Sequence, residues 1–336
     1  MRCLARIART LPFALAAGGA WAGGAWAAEP DPVARGAYVF QAAGCLGCHT
    51  DEKAGGLPLA GGRALKTPFG TFFTPNITPD PANGIGRWTD ADFVRAFREG
   101  RRPDGAALFP AFPYASYTRM TDRDLLDLKA YLFAQPAAPV ANKPHDLTPP
   151  FSWRFLVPAW QWMYLTPGPV PDDPAKPAAW NRGRYLVDAL GHCGECHTPR
   201  SLLGGLDADR YLGGNPDGPD GDKVPNITAH PKGVGGWSDG DVGLLLEAGL
   251  TPEGDVVGGA MGEVIRNSTS KLTAEDRAAI VAYLKTVPPL EVIGRNATLF
   301  GGDSPSPSAL FFRWMTFCYT EDHPFMNAGR RIGCSR

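Results

Sequence analysis

The feature that most constrains this chain of 336 residues is a five-residue pattern, C-x-x-C-H, that occurs twice. The first copy reads CLGCH over residues 45–49, and the second reads CGECH over residues 193–197. Two cysteines one helical turn apart can each form a thioether to a porphyrin, and the adjacent imidazole can then bind the iron from below. The residues predicted to hold two covalently bound haem c groups are Cys45, Cys48, His49, Cys193, Cys196 and His197.

Other uses of paired cysteines fit the spacing less well. Paired C-x-x-C units form zinc sites when the pairs lie within about 20 residues of each other. Here most of a domain separates them, and each pair carries a histidine at the same place. A thioredoxin-like redox pair would follow a βαβ pattern, which neither motif does. Zinc and local disulfides remain as alternatives to haem.

The two motifs lie in a repeated frame, which supports a tandem architecture. Each half has a glycine before the cysteines, the tetrapeptide PNIT after them, a tryptophan followed by Thr or Ser and acidic residues, and a closing segment that ends Ala-Tyr-Leu. These elements occupy residues 36–38, 75–78, 88–92 and 121–132 in the first half, and residues 183–185, 225–228, 237–241 and 273–284 in the second.

Both closing segments have the pattern of an amphipathic helix. A hydroxyl residue before acidic residues is a typical helix start, because the hydroxyl accepts from free backbone N–H groups and carboxylates suit the positive end of the helix dipole. Apolar residues then recur at helical spacing and predict a buried face. They are Leu125, Leu128 and Leu132 in the first segment, and Ile280, Tyr283 and Leu284 in the second.

The predicted fold is mainly α, with two tandem class I cytochrome c-like domains. The helices are expected to be short, since 41 glycines and 33 prolines supply turns and break helices. The predicted domains cover residues 28–135 and 177–290. A linker rich in proline and aromatic residues joins them over residues 136–176, and a tail follows over residues 291–336.

The sixth ligand of each iron is predicted from the methionines, because an electron carrier usually fills that position and often does so with a thioether. Met261 lies between the second motif and its closing helix, and we predict that it binds the second iron. The repeat aligns Met261 with Phe112, which cannot bind iron. Met120 is then the predicted ligand of the first iron. A core Met120 with an open iron, or a histidine such as His145, remains the alternative.

The N-terminus has the layout of a secretory signal. Three arginines precede an apolar stretch over residues 11–22, and the small-residue site AWA follows at residues 25–27. The predicted signal peptide is residues 1–27, with a retained anchor as the alternative. Export would place the protein in the periplasm, where Cys318 and Cys334 are expected to form a disulfide.

The sequence resembles the cytochrome c subunits of membrane-bound bacterial alcohol and gluconate dehydrogenases over roughly residues 33–290. The matching stretches are CLGCHT (45–50), TPFGT (67–71), PNITPD (75–80), GIG (84–86), WT (88–89), FPAFPY (109–114), WNRG (180–183), GHCG (191–194) and CHTPR (196–200). Two departures stand out. Many members have a third haem domain, whereas this chain has no third C-x-x-C-H, and members often have methionine where this chain has Phe112.

The resemblance implies a catalytic dehydrogenase partner with a quinone-type, flavin or molybdenum cofactor, and electron transfer to ubiquinone or another cytochrome. The predicted function is therefore a periplasmic dihaem cytochrome, an electron-transfer subunit and not an enzyme by itself. The alternative is a dihaem redox enzyme of the peroxidase or thiosulfate-oxidising type that uses an open or displaceable first haem. A net charge of −1 gives no indication of a nucleic-acid partner.

The tail supplies one further prediction. A short apolar run over residues 309–315 is expected either to dock on the catalytic subunit or to lie on the membrane surface at the periplasmic face of the inner membrane. Packing back on the cytochrome domains is the alternative.

Overall fold

The structure is a computed structural model that describes residues 31–291. The predicted signal peptide, the apolar run at residues 309–315 and the predicted pair Cys318–Cys334 lie outside the described residues. Within residues 31–291 the fold is mainly α and the longest helix has 12 residues, as predicted.

The α-helices are α1 (Pro32–Ala42), α2 (Cys45–His49), α3 (Asp90–Glu99), α4 (Tyr114–Tyr117), α5 (Asp122–Phe133), α6 (Val157–Tyr164), α7 (Ala178–Tyr185), α8 (Gly194–His197), α9 (Asp239–Ala248), α10 (Gly259–Asn267) and α11 (Ala274–Leu284). A π-helical turn covers Leu186–Leu190. Short 3₁₀ turns cover Glu52–Ala54, Arg154–Leu156, Ala208–Arg210, Pro219–Gly221, Val234–Gly236 and Thr269–Lys271. Strands β1 (Ala64–Thr67), β2 (Gly70–Phe73) and β3 (Asp146–Leu147) form an antiparallel sheet in the order β1-β2-β3.

The predicted closing helices are α5 and α11, and both begin as the sequence indicates. Thr121 Oγ1 accepts from the Asp124 N–H at 3.1 Å, and Thr273 Oγ1 accepts from the Asp276 N–H at 3.2 Å. The apolar residues predicted to face inward in both helices are buried. The sequence therefore identified both helices and the faces that they bury.

A glycine lets the first and last helices of each domain pack unusually close together. In α1, a Cβ added to Gly36 would lie 1.9 Å from the carbonyl oxygen of Asp127 in α5. In α7, a Cβ added to Gly183 would lie 1.9 Å from the carbonyl oxygen of Ala279 in α11. No side chain fits at such distances, so the repeated glycine of the sequence frame is a packing requirement.

Each domain contributes one tyrosine that hydrogen-bonds to the closing helix of the other domain, and we call this pair of contacts the tyrosine exchange. Tyr38 of the first domain donates to Asp276 Oδ2 at 2.6 Å, and Tyr185 of the second donates to Asp124 Oδ2 at 2.6 Å. Each tyrosine oxygen also accepts from the N–H of the threonine that caps the closing helix of the other domain. The distances are 3.1 Å for Tyr38 and 3.0 Å for Tyr185. The contacts are reciprocal, because each domain's tyrosine binds the first turn of the other domain's closing helix.

The linker packs against both domains with one side and leaves aromatic rings exposed on the other. Trp160 Nε1 donates to the Leu203 carbonyl at 2.9 Å, and Gln161 Nε2 donates to the Glu99 carbonyl at 2.9 Å. Trp162 and Phe155 are 86% and 73% exposed. Across residues 31–291 there is no helix of sufficient length and apolar character to cross a membrane.

Candidate functional site

The attachment motifs form two short helices in equivalent places. In the first domain α2 carries Cys45, Cys48 and His49 directly after Gly44, whose φ of 63° allows the sharp turn from α1. In the second domain Cys193 caps α8, which carries the remaining two motif residues. All four cysteine sulfurs are free, which leaves them available for thioether bonds.

Both motif histidines are oriented by a proline carbonyl. The Nδ1 atoms of His49 and His197 lie 2.8 Å from the carbonyl oxygens of Pro75 and Pro225. Since a carbonyl only accepts, each Nδ1 carries the proton and each Nε2 keeps its lone pair. Burial lowers the pKa of both imidazoles, although the hydrogen bond to the proline carbonyl opposes this effect. A neutral imidazole with a free Nε2 is the form that binds iron.

The repeated PNIT tetrapeptides hold these carbonyls in place. Asn76 Oδ1 accepts from the N–H of Thr78 at 2.9 Å and from its hydroxyl at 2.7 Å, and Asn226 binds Thr228 in the same way at 2.8 and 2.7 Å. The sequence singled out the tetrapeptide as a repeat, but it did not identify the prolines as partners of the histidines. Its recurrence after both motifs was the only signal.

A second repeated bond ties the chain after each motif. Thr50 Oγ1 accepts from the Leu59 N–H at 3.0 Å, and Thr198 Oγ1 accepts from the Leu212 N–H at 3.0 Å. Both leucines have a φ of 61°, a conformation that leucine rarely adopts, and both are buried. The loop that follows each histidine is therefore fixed by the same hydrogen bond and the same backbone turn.

The first motif opens into a large cavity of about 1930 Å³. Besides Cys45, Cys48 and His49, the apolar residues that line it include Ile77, Phe93, Phe97, Phe112, Leu128 and Leu132. The cavity extends along the linker to the surface of the second domain. Haem c requires two free thiols, a neutral imidazole and an apolar cavity, and the first motif provides all of them.

The thiols differ from those of a redox-active cysteine pair. Burial raises the pKa of Cys45 to about 12 and that of Cys193 to about 12, and the neighbouring motif cysteine adds to the rise in each case. Redox-active pairs instead have a lowered thiol pKa. Among residues 31–291, no three side chains of His, Cys, Asp or Glu converge in a way that could hold a metal ion.

The repeat alignment at the sixth-ligand position holds in three dimensions. The backbone bridge Arg101↔Ala107 in the first domain corresponds to Leu250↔Val256 in the second. Phe112 and Met261 each lie five residues after the second bridge residue (112 − 107 and 261 − 256). Met261 lies in the first turn of α10, half-buried and outside the described hydrophobic core, whereas Phe112 lines the cavity of the first motif.

The other predicted ligands of the first iron lie elsewhere. Met120 is fully buried in the hydrophobic core and is not one of the residues that line the cavity. His145 lies at the edge of the cavity, where its Nδ1 accepts from the Phe73 N–H at 3.1 Å. The assignments of Met120 and Met261 as iron ligands stay predictions.

The two motifs lie near one another, because Cys48 and Cys196 line the same cavity. Burial raises the pKa of the Cys196 thiol; Arg200 opposes this rise, and the charges of Glu195 and of Cys48 from the other domain add to it. Ser116 of the first domain donates to Glu195 Oε1 inside the second motif at 2.6 Å. In return, α10 of the second domain packs against α2.

Comparison with known proteins agrees with this site. The Cytochrome c family model matches residues 33–134 and 181–288. A "Diheme cytochrome c-type" protein of Cereibacter sphaeroides is 44% identical over 287 residues, which cover 81% of this chain and 95% of that protein. The fructose dehydrogenase cytochrome subunit of Gluconobacter japonicus is 40% identical over 282 residues, which cover 81% of this chain and 57% of that subunit.

A third relative is the cytochrome c subunit of alcohol dehydrogenase (quinone) from Gluconacetobacter polyoxogenes, 41% identical over 304 residues. The matches cover 85% of this chain and 63% of that subunit, so the chain spans somewhat more than half the length of the two dehydrogenase subunits. The resemblance inferred from the sequence and the tandem cytochrome c-like fold are confirmed. The chain belongs to the cytochrome c family, with covalently attached haem c as its cofactor and electron transfer as its role.

Proposed function

We propose that this chain carries two haem c groups, one on each motif, and relays electrons from a catalytic dehydrogenase subunit to ubiquinone or another respiratory carrier. The observation that carries the proposal is that Cys48 of the first motif and Cys196 of the second line the same cavity. Haem c, when bound, takes up and releases single electrons at its iron. Two such sites that share a cavity would form a relay within one chain.

The residues of this chain hold and orient the two groups. The cysteines would anchor them, while the carbonyls of Pro75 and Pro225 hold Nδ1 of each histidine and leave Nε2 free to bind iron. The tyrosine exchange through Tyr38 and Tyr185 keeps the two domains in one orientation. A fixed orientation supports a relay, because it keeps the separation of the two sites constant.

The partner and location are inferred from other observations. Two of the similar proteins are named as cytochrome subunits of fructose dehydrogenase and of alcohol dehydrogenase (quinone). The signal-like N-terminus supports a periplasmic location, and the exposed rings of Phe155 and Trp162 support association with a partner or with the periplasmic face of the inner membrane. A dehydrogenase partner in the periplasm is consistent with all three observations.

Haem stoichiometry tests the relay directly. The full chain, produced in a host that attaches haem c, should carry two haems by pyridine haemochrome assay and by mass. The double variants C45A/C48A and C193A/C196A should each retain one haem. A wild-type chain with fewer than two haems would contradict the proposal.

Complex formation tests the partner. The tagged full chain, isolated from its native membranes, should bring down a dehydrogenase whose substrate reduces the haem absorption bands. Addition of a water-soluble ubiquinone analogue should then reoxidise them. If no substrate oxidised by the isolated complex reduces the haems, the proposed role as a dehydrogenase subunit is wrong.

A further inference from the structure

We propose that the first iron has no side chain as its sixth ligand and that it binds a small neutral diatomic molecule such as carbon monoxide. The inference rests on the proposed function, because it requires haem on the first motif. It concerns three side chains: Phe112 and Met120 of the first domain, and His145 of the linker.

Phe112 occupies the position from which a ligand would come. The matched bridges place it where the second domain has Met261, five residues after each bridge (112 − 107 and 261 − 256). The backbone before this point is also equivalent, because Leu108 N–H donates to the Gly100 carbonyl at 2.7 Å and Val257 N–H donates to the Gly249 carbonyl at 2.8 Å. The loop therefore presents a phenyl ring where the second domain presents a thioether.

The position of Met120 is a core position in both domains. It directly precedes the capping residue Thr121, and its N–H donates to the Tyr117 carbonyl at 3.0 Å. In the second domain Leu272 precedes Thr273 in the same way, and its N–H donates to the Thr269 carbonyl at 3.3 Å. Leucine cannot bind iron, yet Leu272 is buried in the same core cluster as Met120. The shared role of this position is packing.

His145 is held in the wrong tautomer for binding. Its Nδ1 accepts a hydrogen bond from the Phe73 N–H, so in the neutral ring the proton is on Nε2. An Nε2 that carries a proton has no lone pair for a metal. The ring is also packed edge-on against Phe72 and Phe109, with centroid distances of 5.4 and 5.5 Å.

The rings that contact Phe112 belong to Phe97, Tyr114 and Tyr117, and such surroundings favour a neutral ligand. The Phe112 ring packs against Phe97 at 5.0 Å and against Tyr117 at 5.6 Å between centroids. The Tyr117 hydroxyl already donates to the Ala43 carbonyl at 3.0 Å. Peroxide cleavage needs a side chain that moves a proton, whereas a neutral diatomic molecule binds to iron in an apolar pocket without one. The aromatic contacts of Phe112 thus point to the binding of a neutral ligand.

Spectroscopy of the full holoprotein tests the proposal without reference to activity. Electron-spin resonance and resonance Raman spectra of the oxidised protein should show one high-spin and one low-spin haem. After reduction, carbon monoxide should bind to about one of the two haems of each chain. Two low-spin haems, or no binding of carbon monoxide, would overturn the inference while leaving a dihaem stoichiometry, and hence the proposed function, intact.

Three variants identify the residues responsible. F112M should convert the first haem to low spin, abolish carbon monoxide binding and raise its reduction potential, since a thioether ligand raises potential. M261F should create a second haem that binds carbon monoxide. M120L places the residue of the second domain in the first and should leave spin state and binding unchanged. If M120L instead produces a new high-spin haem, Met120 is the ligand and the inference is wrong.

Discussion

The two domains are nearly identical where they attach the cofactor and differ where they face its other side. Each has a histidine bonded to a proline carbonyl at 2.8 Å and a tyrosine bonded across the interface at 2.6 Å. After the matched bridges, however, the first domain has the four-residue helix α4 and Phe112, while the second has the nine-residue helix α10 and Met261. Attachment depends on backbone hydrogen bonds that permit little change, whereas the sixth-ligand loop has changed in length and sequence.

The largest effect is expected from the glycine that brings the outer helices together. G36A and G183A should each lower the free energy of unfolding by about 3 kcal/mol, because the new Cβ must push a carbonyl oxygen away from 1.9 Å. Equal losses would show that the two helix pairs are equivalent. Guanidinium titration of each holoprotein, followed by circular dichroism, measures them.

Gly243 provides the matched control. It lies within α9, and a Cβ added there would meet no heavy atom within 4 Å. Because alanine is the better helix former, G243A should raise the free energy of unfolding by about 1 kcal/mol. If G36A or G183A behaved like G243A, the close approach of these helices would be absent in solution.

The sequence predicted the attachment motifs, the tandem fold and the closing helices α5 and α11 because each follows from local patterns. Helical spacing and a capping hydroxyl are visible within a dozen residues, and each copy of the attachment motif is visible within five. The repeat even located the difference at Phe112. Short sequence patterns were sufficient to predict an element when the residues that determine it are neighbours in the chain.

The contacts that the sequence did not reveal join residues far apart in the chain. The bond from His49 to the Pro75 carbonyl and the exchange of Tyr38 and Tyr185 depend on how the chain folds back and how the domains pack. The position of Met120 is a second example. A methionine before a closing helix fits both an iron ligand and a core residue by sequence. The structure buries Met120 in the same core cluster as Leu272, and its assignment as an iron ligand stays a prediction.

Smaller losses of unfolding free energy are expected when either tyrosine of the exchange is replaced, and the two losses should differ. Y185F removes the donor to Asp124 and the acceptor for the Thr121 N–H, which should cost about 2 kcal/mol of unfolding free energy. Y38F should cost about 1 kcal/mol, because Asp276 keeps two bonds from Arg182 at 2.8 and 2.6 Å. Chemical denaturation of the two variants gives the difference.

Tyr131 is the control for the loss of a hydroxyl. It lies on α5, and within residues 31–291 its hydroxyl makes no hydrogen bond to another residue. Y131F should therefore leave the free energy of unfolding unchanged. Equal losses for Y38F and Y185F would mean that Arg182 adds nothing to its side of the interface, and the two halves of the exchange would then be equivalent.

The smallest change in unfolding free energy should come from an ion pair made by α10, the longer of the two helices that follow the matched bridges. Glu263 on α10 pairs with Arg63 of the first domain at 2.7 Å, with both side chains 29% exposed. E263Q should lower the free energy of unfolding by about 0.5 kcal/mol, because partly exposed ion pairs contribute little, and the loss should disappear in high salt.

D104N is the matched control, since it removes the Arg102–Asp104 pair within the first domain, where the side chains are 48% and 54% exposed. If E263Q cost as much as Y185F, this ion pair would contribute as much to the domain interface as the tyrosine contact does.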